Sequence, residues 1–361
     1  MLIDELMSKG YKVHTMDHRS QGRSGRPASS SKSPHMSHVT SFDQYVDDFV
    51  NFASSITPLP GKKLSIICHS MGGLITLKAL QRPGLSSLVS CACVSAPMLR
   101  FKTPPWPWSV AGFLTGCFVK LGLGSSYAVG KPEEGWEPSK CAVPYLTSHD
   151  DPRLSVWVRQ MQEEPLLKLG GPSNAWVLAC HNACSDFVRD HVLLPEEVRT
   201  TSTSYPVPVL LMSSGIDRFV EEGLQDVFKE RYDSNVRHIK FPDAYHELLF
   251  ECDDVRERCY NECAEFIDVH SSEGGVQQVN KLHCSSASLQ RQRLYETIVV
   301  RNLDLQLQKK KDERLAVLAR RRTRNIAVKI VLGTATAAAV AMAIFGKEKD
   351  KNTIRGFFGR K

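Results

Sequence analysis

The chain has 361 residues, 42% of them hydrophobic and 24% charged, which is enough for one large core or one core with an appendage. Its net charge of +7 is unevenly spread: residues 301–361 hold 16 Lys/Arg against 5 Asp/Glu, a local +11, so residues 1–300 carry −4. The basic character therefore belongs to the tail, which excludes reading the globular body as a nucleic-acid binder from charge. The eleven cysteines are scattered through apolar and helical stretches, and Met1-Leu-Ile-Asp-Glu5 lacks the basic and apolar regions of a signal peptide. Free thiols in a reducing compartment are expected.

In chain order, residues 2–9 predict a short amphipathic helix closed by Gly10, and Tyr11–Met16 a strand. Residues 18–40 form a loop rich in Ser, Gly, Pro and His. Ser41-Phe-Asp-Gln44 is a capping box, opening a helix whose apolar face is Phe42, Tyr45, Phe49, Phe52 and Ile56 and which Pro58 and Pro60 end. A strand over Leu64–Cys68, a helix over Gly72–Gln81 and a strand over Leu88–Val94 follow. Strand–helix alternation resumes at Val207–Met212, with a helix near Glu221–Arg231, a strand over Val236–Phe241 and a helix over Asp254–Val269. Such alternation argues a mostly parallel α/β sheet flanked by helices.

This gives a division into 1–98 (core, first part), 99–205 (a Pro- and Trp-rich helical cap inserted between strands) and 206–270 (core, second part). Residues 271–285 are a Ser/Gly-rich linker and 286–325 a charged helix. Residues 326–345 are 20 residues of length and flanks suited to a transmembrane helix, and 346–361 a basic tail. The apolar run with basic flanks suits anionic lipid better than nucleic acid, and the basic stretch 308–324 has no aromatic residue for stacking bases. The expectation is a C-terminally anchored domain on the cytosolic side of a membrane, without nucleic acid. Cys180/Cys184 and Cys259/Cys263 have helical i,i+4 spacing, but no second ligand pair accompanies either, so no metal or other cofactor is expected.

The candidate chemistry centres on Ser70. It breaks an apolar run and precedes Gly72 and Gly73, the pattern of a strand-turn-helix elbow. Small residues are expected two before and two after; here they are Cys68, where Gly is usual, and Gly72. A serine hydroxyl needs a base, and the base an orienting acid. Asp217 and His246 each follow a predicted strand, where open α/β sheets place their ligands, and the order Ser…Asp…His is that of one hydrolase fold.

With these residues in view, the chain resembles the α/β-hydrolases of the lysophospholipase and monoacylglycerol lipase group, filed under a serine aminopeptidase heading. The resembling stretches span roughly residues 1–270. They are Asp17-His-Arg-Ser-Gln-Gly-Arg-Ser-Gly-Arg26, Phe42-Asp-Gln-Tyr-Val-Asp-Asp-Phe49, His69-Ser-Met-Gly-Gly73, Ser95-Ala-Pro-Met98 and Ala244-Tyr-His-Glu-Leu-Leu-Phe-Glu251. The first, second and last look most like the bacterial lysophospholipase L2 branch. The resemblance implies an α/β-hydrolase fold, with Ser70 as nucleophile, His246 as general base and Asp217 as its orienting acid. The Met71 N–H would be one oxyanion donor, and the substrate an ester of a single-chain lipid. A monoacylglycerol lipase or general carboxylesterase is the alternative enzyme. In this family the other oxyanion donor comes from a His-Gly loop preceding the first helix, and no such stretch lies upstream of Tyr11. An N-terminally incomplete fold is therefore expected: either the chain is part of a longer ordinary hydrolase, or it is a weak relative or membrane-anchored binding module. The full set of three residues favours the first.

Overall fold

A computed structural model describes residues 2–26, 34–58, 62–128, 146–191 and 204–271. Helix α1 (Leu2–Ser8) leads to α2 (Asp43–Ser55), β1 (Leu64–His69), α3 (Met71–Ala79), the short α4 (Pro83–Ser86) and β2 (Val89–Ser95). Then come α5 (Trp108–Phe118), continued by a π-turn over Val119–Leu123, and α6 (Asp151–Glu163) and α7 (Asn174–His191). The chain returns to the sheet with β3 (Val209–Ser214), α8 (Gly223–Arg231), β4 (Val236–Phe241) and α9 (Asp253–Ser271).

The four strands lie in the order β1-β2-β3-β4, all parallel, with Ile67 beside Cys93, Val94 beside Leu211 and Met212 beside Ile239. Successive side chains point to opposite faces of a strand. Ala92, Val94, Val209 and Leu211 accordingly join one core with α2, α3, α7 and α8, through residues such as Tyr45, Leu77, Phe187 and Phe228. Cys91, Cys93, Leu210 and Met212 join the other with α9, through Cys259, Tyr260, Cys263 and Phe266. Both faces are thus covered, which is why β2 from Cys91 to Val94 and β3 from Val209 to Met212 read as apolar runs. Emptying one such position, as in Leu211→Ala, costs about 2–5 kcal/mol. β4 lies at the edge and carries Arg237 and Lys240 outward, charges that discourage pairing with another chain.

The helix starts one residue later than the capping box implied, with Phe42 rather than Ser41 at the N-cap, though Ser41 Oγ accepts from the Asp43 N–H (3.2 Å) and Gln44 Oε1 from the Thr40 N–H (3.2 Å). The predicted strand at Tyr11–Met16 does not form. That stretch is described but enters no ladder. β propensity needs a neighbour with free backbone groups in register, and Tyr11 is held instead by its side chain, whose hydroxyl donates to Asp268 Oδ1.

The expectation of a membrane anchor is corrected. Among the described residues no helix is long and apolar enough to cross a membrane. The two longest described helices, α7 and α9, bury one stripe and carry charges such as Asp186, Arg189, Asp254 and Glu257, which hydrocarbon would not accommodate. Residues 272–361, which include the predicted span at 326–345, lie outside the described residues. The transmembrane segment, the membrane as partner and the tethered cytosolic-side location are withdrawn with it.

Candidate active site

The site is built at the carboxyl ends of β1, β3 and β4. Between β1 and α3 the chain turns within one residue, Ser70, whose φ of 52° and ψ of −117° lie outside the regions open to ordinary side chains. Such a conformation costs on the order of 1–3 kcal/mol and persists only where surrounding bonds impose it. Here the Ser70 N–H donates to the Ser95 carbonyl (2.9 Å). The Ser70 carbonyl accepts from Gly73 (2.9 Å) and Met98 (3.0 Å). The Ser95-Ala-Pro-Met98 turn is held in its own right by the Ala96 N–H on the Met212 carbonyl (2.8 Å).

The crowding at the elbow falls one residue later than the pattern suggested. A Cβ on Gly72 would meet nothing closer than 3.8 Å, whereas one on Gly73 would lie 2.9 Å from Pro97 Cβ and 3.0 Å from Val94 Cγ1. Gly73 lets α3 approach the end of β2. Of the two glycines, Gly72, which had to be small by expectation, is not the tight one.

Asp217 and His246 arrive on the loops after β3 and β4, which are stitched together. The Gly215 N–H donates to the Phe241 carbonyl (2.8 Å), the Ile216 N–H to that of Ala244 (3.1 Å), and Ser214 Oγ also to Ala244 (2.9 Å). A Cβ on Gly215 would sit 2.1 Å from the Pro242 carbonyl oxygen, so this stitching requires glycine there.

The three predicted residues meet. His246 Nδ1 is 2.6 Å from Asp217 Oδ2, and His246 Nε2 is 2.9 Å from Ser70 Oγ. A carboxylate only accepts, so Nδ1 carries the proton and Nε2 of the neutral ring is left to accept from the Ser70 hydroxyl. His246 and Asp217 are 5% and 4% exposed, so water does not compete for these bonds. The other Asp217 oxygen accepts from the Phe219 (2.8 Å) and Val220 (3.0 Å) N–H groups. Burial pushes the Asp217 pKa up, but the hydrogen bond and charge of His246, with those two N–H groups, outweigh it, and the net shift is downward. Asp217 is further fixed through its backbone, whose carbonyl accepts from Lys102 Nζ and whose N–H donates to Glu222 Oε1 (3.0 Å). The Phe219 ring lies 5.3 Å from the His246 ring. Met71 opens α3, and among the described residues its N–H donates to no acceptor. Such a group at a helix start is available to an anion.

Several residues of this site carry no role in the sequence reading. Glu251, fully buried, accepts from the Tyr245 N–H (2.8 Å), the Cys252 N–H (3.1 Å) and the backbone and ring of His149 (3.1 and 2.9 Å). It fastens the loop that bears His246 to the start of α6, where Arg153 adds ion pairs to Asp150 and Asp253. The Glu247 N–H donates to the Thr147 carbonyl (2.8 Å) in the same seam. A carboxylate five residues after His246 was the available signal, but its partner His149 lies 102 residues away in sequence. Cys180 and Cys184 face the main core from α7, and Cys259 and Cys263 face the second core from α9; all four are buried. Trp108 and Trp176 are half-buried and pack against the main core, with Trp176 Nε1 donating to Tyr45 Oη (2.9 Å).

An all-parallel sheet with a strained serine after one strand and a His–Asp pair on the loops after two others is the arrangement of an α/β-hydrolase. The family model described as "Serine aminopeptidase, S33" matches residues 1–253, and the chain belongs to that family. Among curated proteins it is similar to lysophospholipase L2 of Escherichia coli K12, 30% identical over 282 residues, covering 76% of this chain and 77% of the relative. Its fold is similar to that of a soluble variant of monoglyceride lipase from Saccharomyces cerevisiae (TM-score 0.55, 17% identical, covering 75% of this chain and 82% of that one). It is also similar to that of a monoacylglycerol lipase from Paleococcus ferrophilus (TM-score 0.52, 19% identical, 75% and 88% covered).

Proposed function

We propose that this chain hydrolyses carboxylic esters of single-chain lipids, with a lysophospholipid as the favoured substrate class, through a Ser70 acyl-enzyme. The observation that carries the reading is the continuous chain Ser70 Oγ–His246–Asp217 at 2.9 and 2.6 Å, ending on a serine in a strained elbow. The similarity to lysophospholipase L2 supports the substrate class.

In the mechanism, His246 Nε2 takes the Ser70 proton as Oγ attacks the ester carbonyl, and Asp217 steadies the imidazolium that forms. The Met71 N–H faces the oxygen that becomes negative; one such donor is worth about 3–4 kcal/mol. The tetrahedral species collapses, and the departing alcohol takes the proton from His246. Water then gives a proton to His246 and attacks the acyl carbon, releasing the fatty acid and restoring the serine hydroxyl. The segment 99–205 serves as the cap. Its α5 and π-turn expose Val110, Phe113, Leu121 and Leu123, apolar surface of the kind an acyl chain covers.

The test is labelling of the full chain with a fluorophosphonate, beside Ser70→Ala and His246→Ala. Labelling lost in both variants supports the nucleophile and base. A folded chain that is not labelled overturns the reading and leaves a binding module. If labelling succeeds, hydrolysis of lysophosphatidylcholine, monoacylglycerol and a short p-nitrophenyl ester ranks the substrates. A preference for the short ester would replace the lipid reading with a general carboxylesterase.

A further inference from the structure

His69 and Glu247 flank the two reacting side chains in sequence, one before Ser70 and the other after His246, and they meet in space. His69 Nε2 is 3.2 Å from Glu247 Oε1, and His69 Nδ1 is 3.3 Å from Ser95 Oγ. The His69–Glu247 contact is off the line of a hydrogen bond, and His69 Nε2 has no other acceptor among the described residues, so the pair is an electrostatic one. The His69 ring lies 4.7 Å from that of His246. Ser95 stands beside His69 in the β1–β2 register, and the Glu247 N–H is anchored on Thr147.

We infer that His69 and Glu247 form a second acid–imidazole pair, which ties the elbow to the loop bearing His246 and balances charge beside the proposed base. Both are positioning residues, and the inference deepens the hydrolase reading on which it rests. Either chain segment could reach its place alone. What the pair adds is a direct link, across more than 170 residues of sequence, between the neighbours of Oγ and Nε2, whose separation must hold to tenths of an ångström for proton transfer.

The charges facing the pair are few. His246 and Asp217 face both members, Ser95 faces His69, and Lys102 and Glu222 stand one shell out, on the Asp217 backbone. Burial disfavours charge on His69, yet Glu247, with Asp217 behind it, raises its pKa above the ordinary 6.5. Burial likewise raises Glu247, and His69, with His246, more than reverses it. The ionised pair adds no net charge at His246. Removing His69 alone leaves the Glu247 carboxylate unbalanced there, which favours an imidazolium at His246 and holds the base in its unreactive form to higher pH.

The experiment uses the full chain with ring-labelled histidine, in wild type, His69→Gln, Glu247→Gln and the double variant. Ring resonances are followed against pH, and kcat/KM for a lysophospholipid is measured in parallel. In Glu247→Gln the His69 midpoint falls; an unchanged midpoint overturns the pair, whether or not the chain hydrolyses any ester. In His69→Gln the acid limb of kcat/KM moves up by roughly half a pH unit or more, and the double variant returns toward wild type. A uniform loss at every pH, with no displacement of the limb, overturns the charge-balancing role. A chain whose His69 midpoint responds to Glu247→Gln but which hydrolyses no ester overturns the functional reading and leaves the pair standing.

Discussion

Among the described residues, two Ser–His–Asp constellations lie at this sheet. One joins Ser70, His246 and Asp217; the other joins Ser213 on β3, His238 on β4 and Asp226 on α8. In both the order along the chain is Ser, Asp, His, and in both the imidazole lies between the hydroxyl and the carboxylate. Their surroundings differ. Ser70 stands past the end of its strand at a positive φ, while Ser213 lies within β3 in a regular ladder beside Lys240 and is 4% exposed. The Asp217 side chain is 1% exposed, meets His246 at 2.6 Å and takes two backbone N–H groups; that of Asp226 is 40% exposed, lies 3.4 Å from His238 Nδ1 and is shared with Lys240 at 2.6 Å. Composition and order are therefore poor marks of a nucleophile. What separates the two is a backbone that lifts the hydroxyl off the sheet and an acid withdrawn from competing partners.

The largest effect expected breaks or keeps this distinction outright. Ser70→Ala abolishes ester hydrolysis, a fall on the order of 10⁶ in kcat, while Ser213→Ala leaves hydrolysis and phosphonate labelling in place and loses only a hydrogen bond, about 1 kcal/mol in a urea melt. Loss of labelling in a folded Ser213→Ala chain would reverse the assignment. Next in size are the acids. Asp217→Asn lowers kcat by about 10⁴, because the imidazole then presents the wrong tautomer; Asp226→Asn leaves kcat within the error of the assay.

A smaller effect concerns the elbow. Gly73→Ala drives a methyl into Pro97 and Val94 and is expected to destabilise the fold by about 1–3 kcal/mol, seen as a lowered Tm. Gly72→Ala, whose methyl would make only ordinary contacts at 3.8 Å and beyond, leaves Tm nearly unchanged. Equal losses at the two positions would put the tight contact elsewhere. The smallest effect is one of pH. Burial, aided by Lys240 and Lys229 and opposed by Asp226, holds the His238 pKa below the ordinary 6.5. The unfolded chain then binds the proton more readily, so this histidine draws stability down as pH falls through 6.5. His238→Gln should flatten that part of the stability–pH curve; an unchanged slope would show that His238 does not contribute to it.

In the ion pair beside the site, His69 has the opposite sign to His238, and Glu247 the same sign at lower pH. His69 is raised, so its contribution is whole below pH 6.5 and is lost as pH rises through its folded value; Glu247 is lowered, so its contribution is whole above pH 4.5 and is lost as pH falls through its folded value. Together they support the fold most fully between those limits.

Much of this was legible locally. β4 has the predicted bounds, and β1, β2 and β3 lie within two residues of theirs, because each is a short segment rich in β-branched and apolar residues set between turn residues. Ser70, Asp217 and His246 could be picked out because parallel strands bring their carboxyl ends to one edge, so three loops far apart in sequence had to converge. Tyr11–Met16 misled for the same local reason: its pattern suits a strand, but a ladder is made by a neighbour. The predicted span at 326–345, read from its length and basic flanks, lies outside the described residues, among which no helix is long and apolar enough to cross a membrane.

By itself the sequence determined the parallel sheet, the edge at which chemistry gathers and the three side chains that meet there, since period and strand polarity are local properties that packing preserves. Only the tertiary structure decided that a further Ser–His–Asp set forms around Ser213 within the sheet, that Gly73 rather than Gly72 is the tight glycine, and that His69 finds Glu247. Each of these depends on separations of a few ångströms between segments that no spacing along the chain encodes.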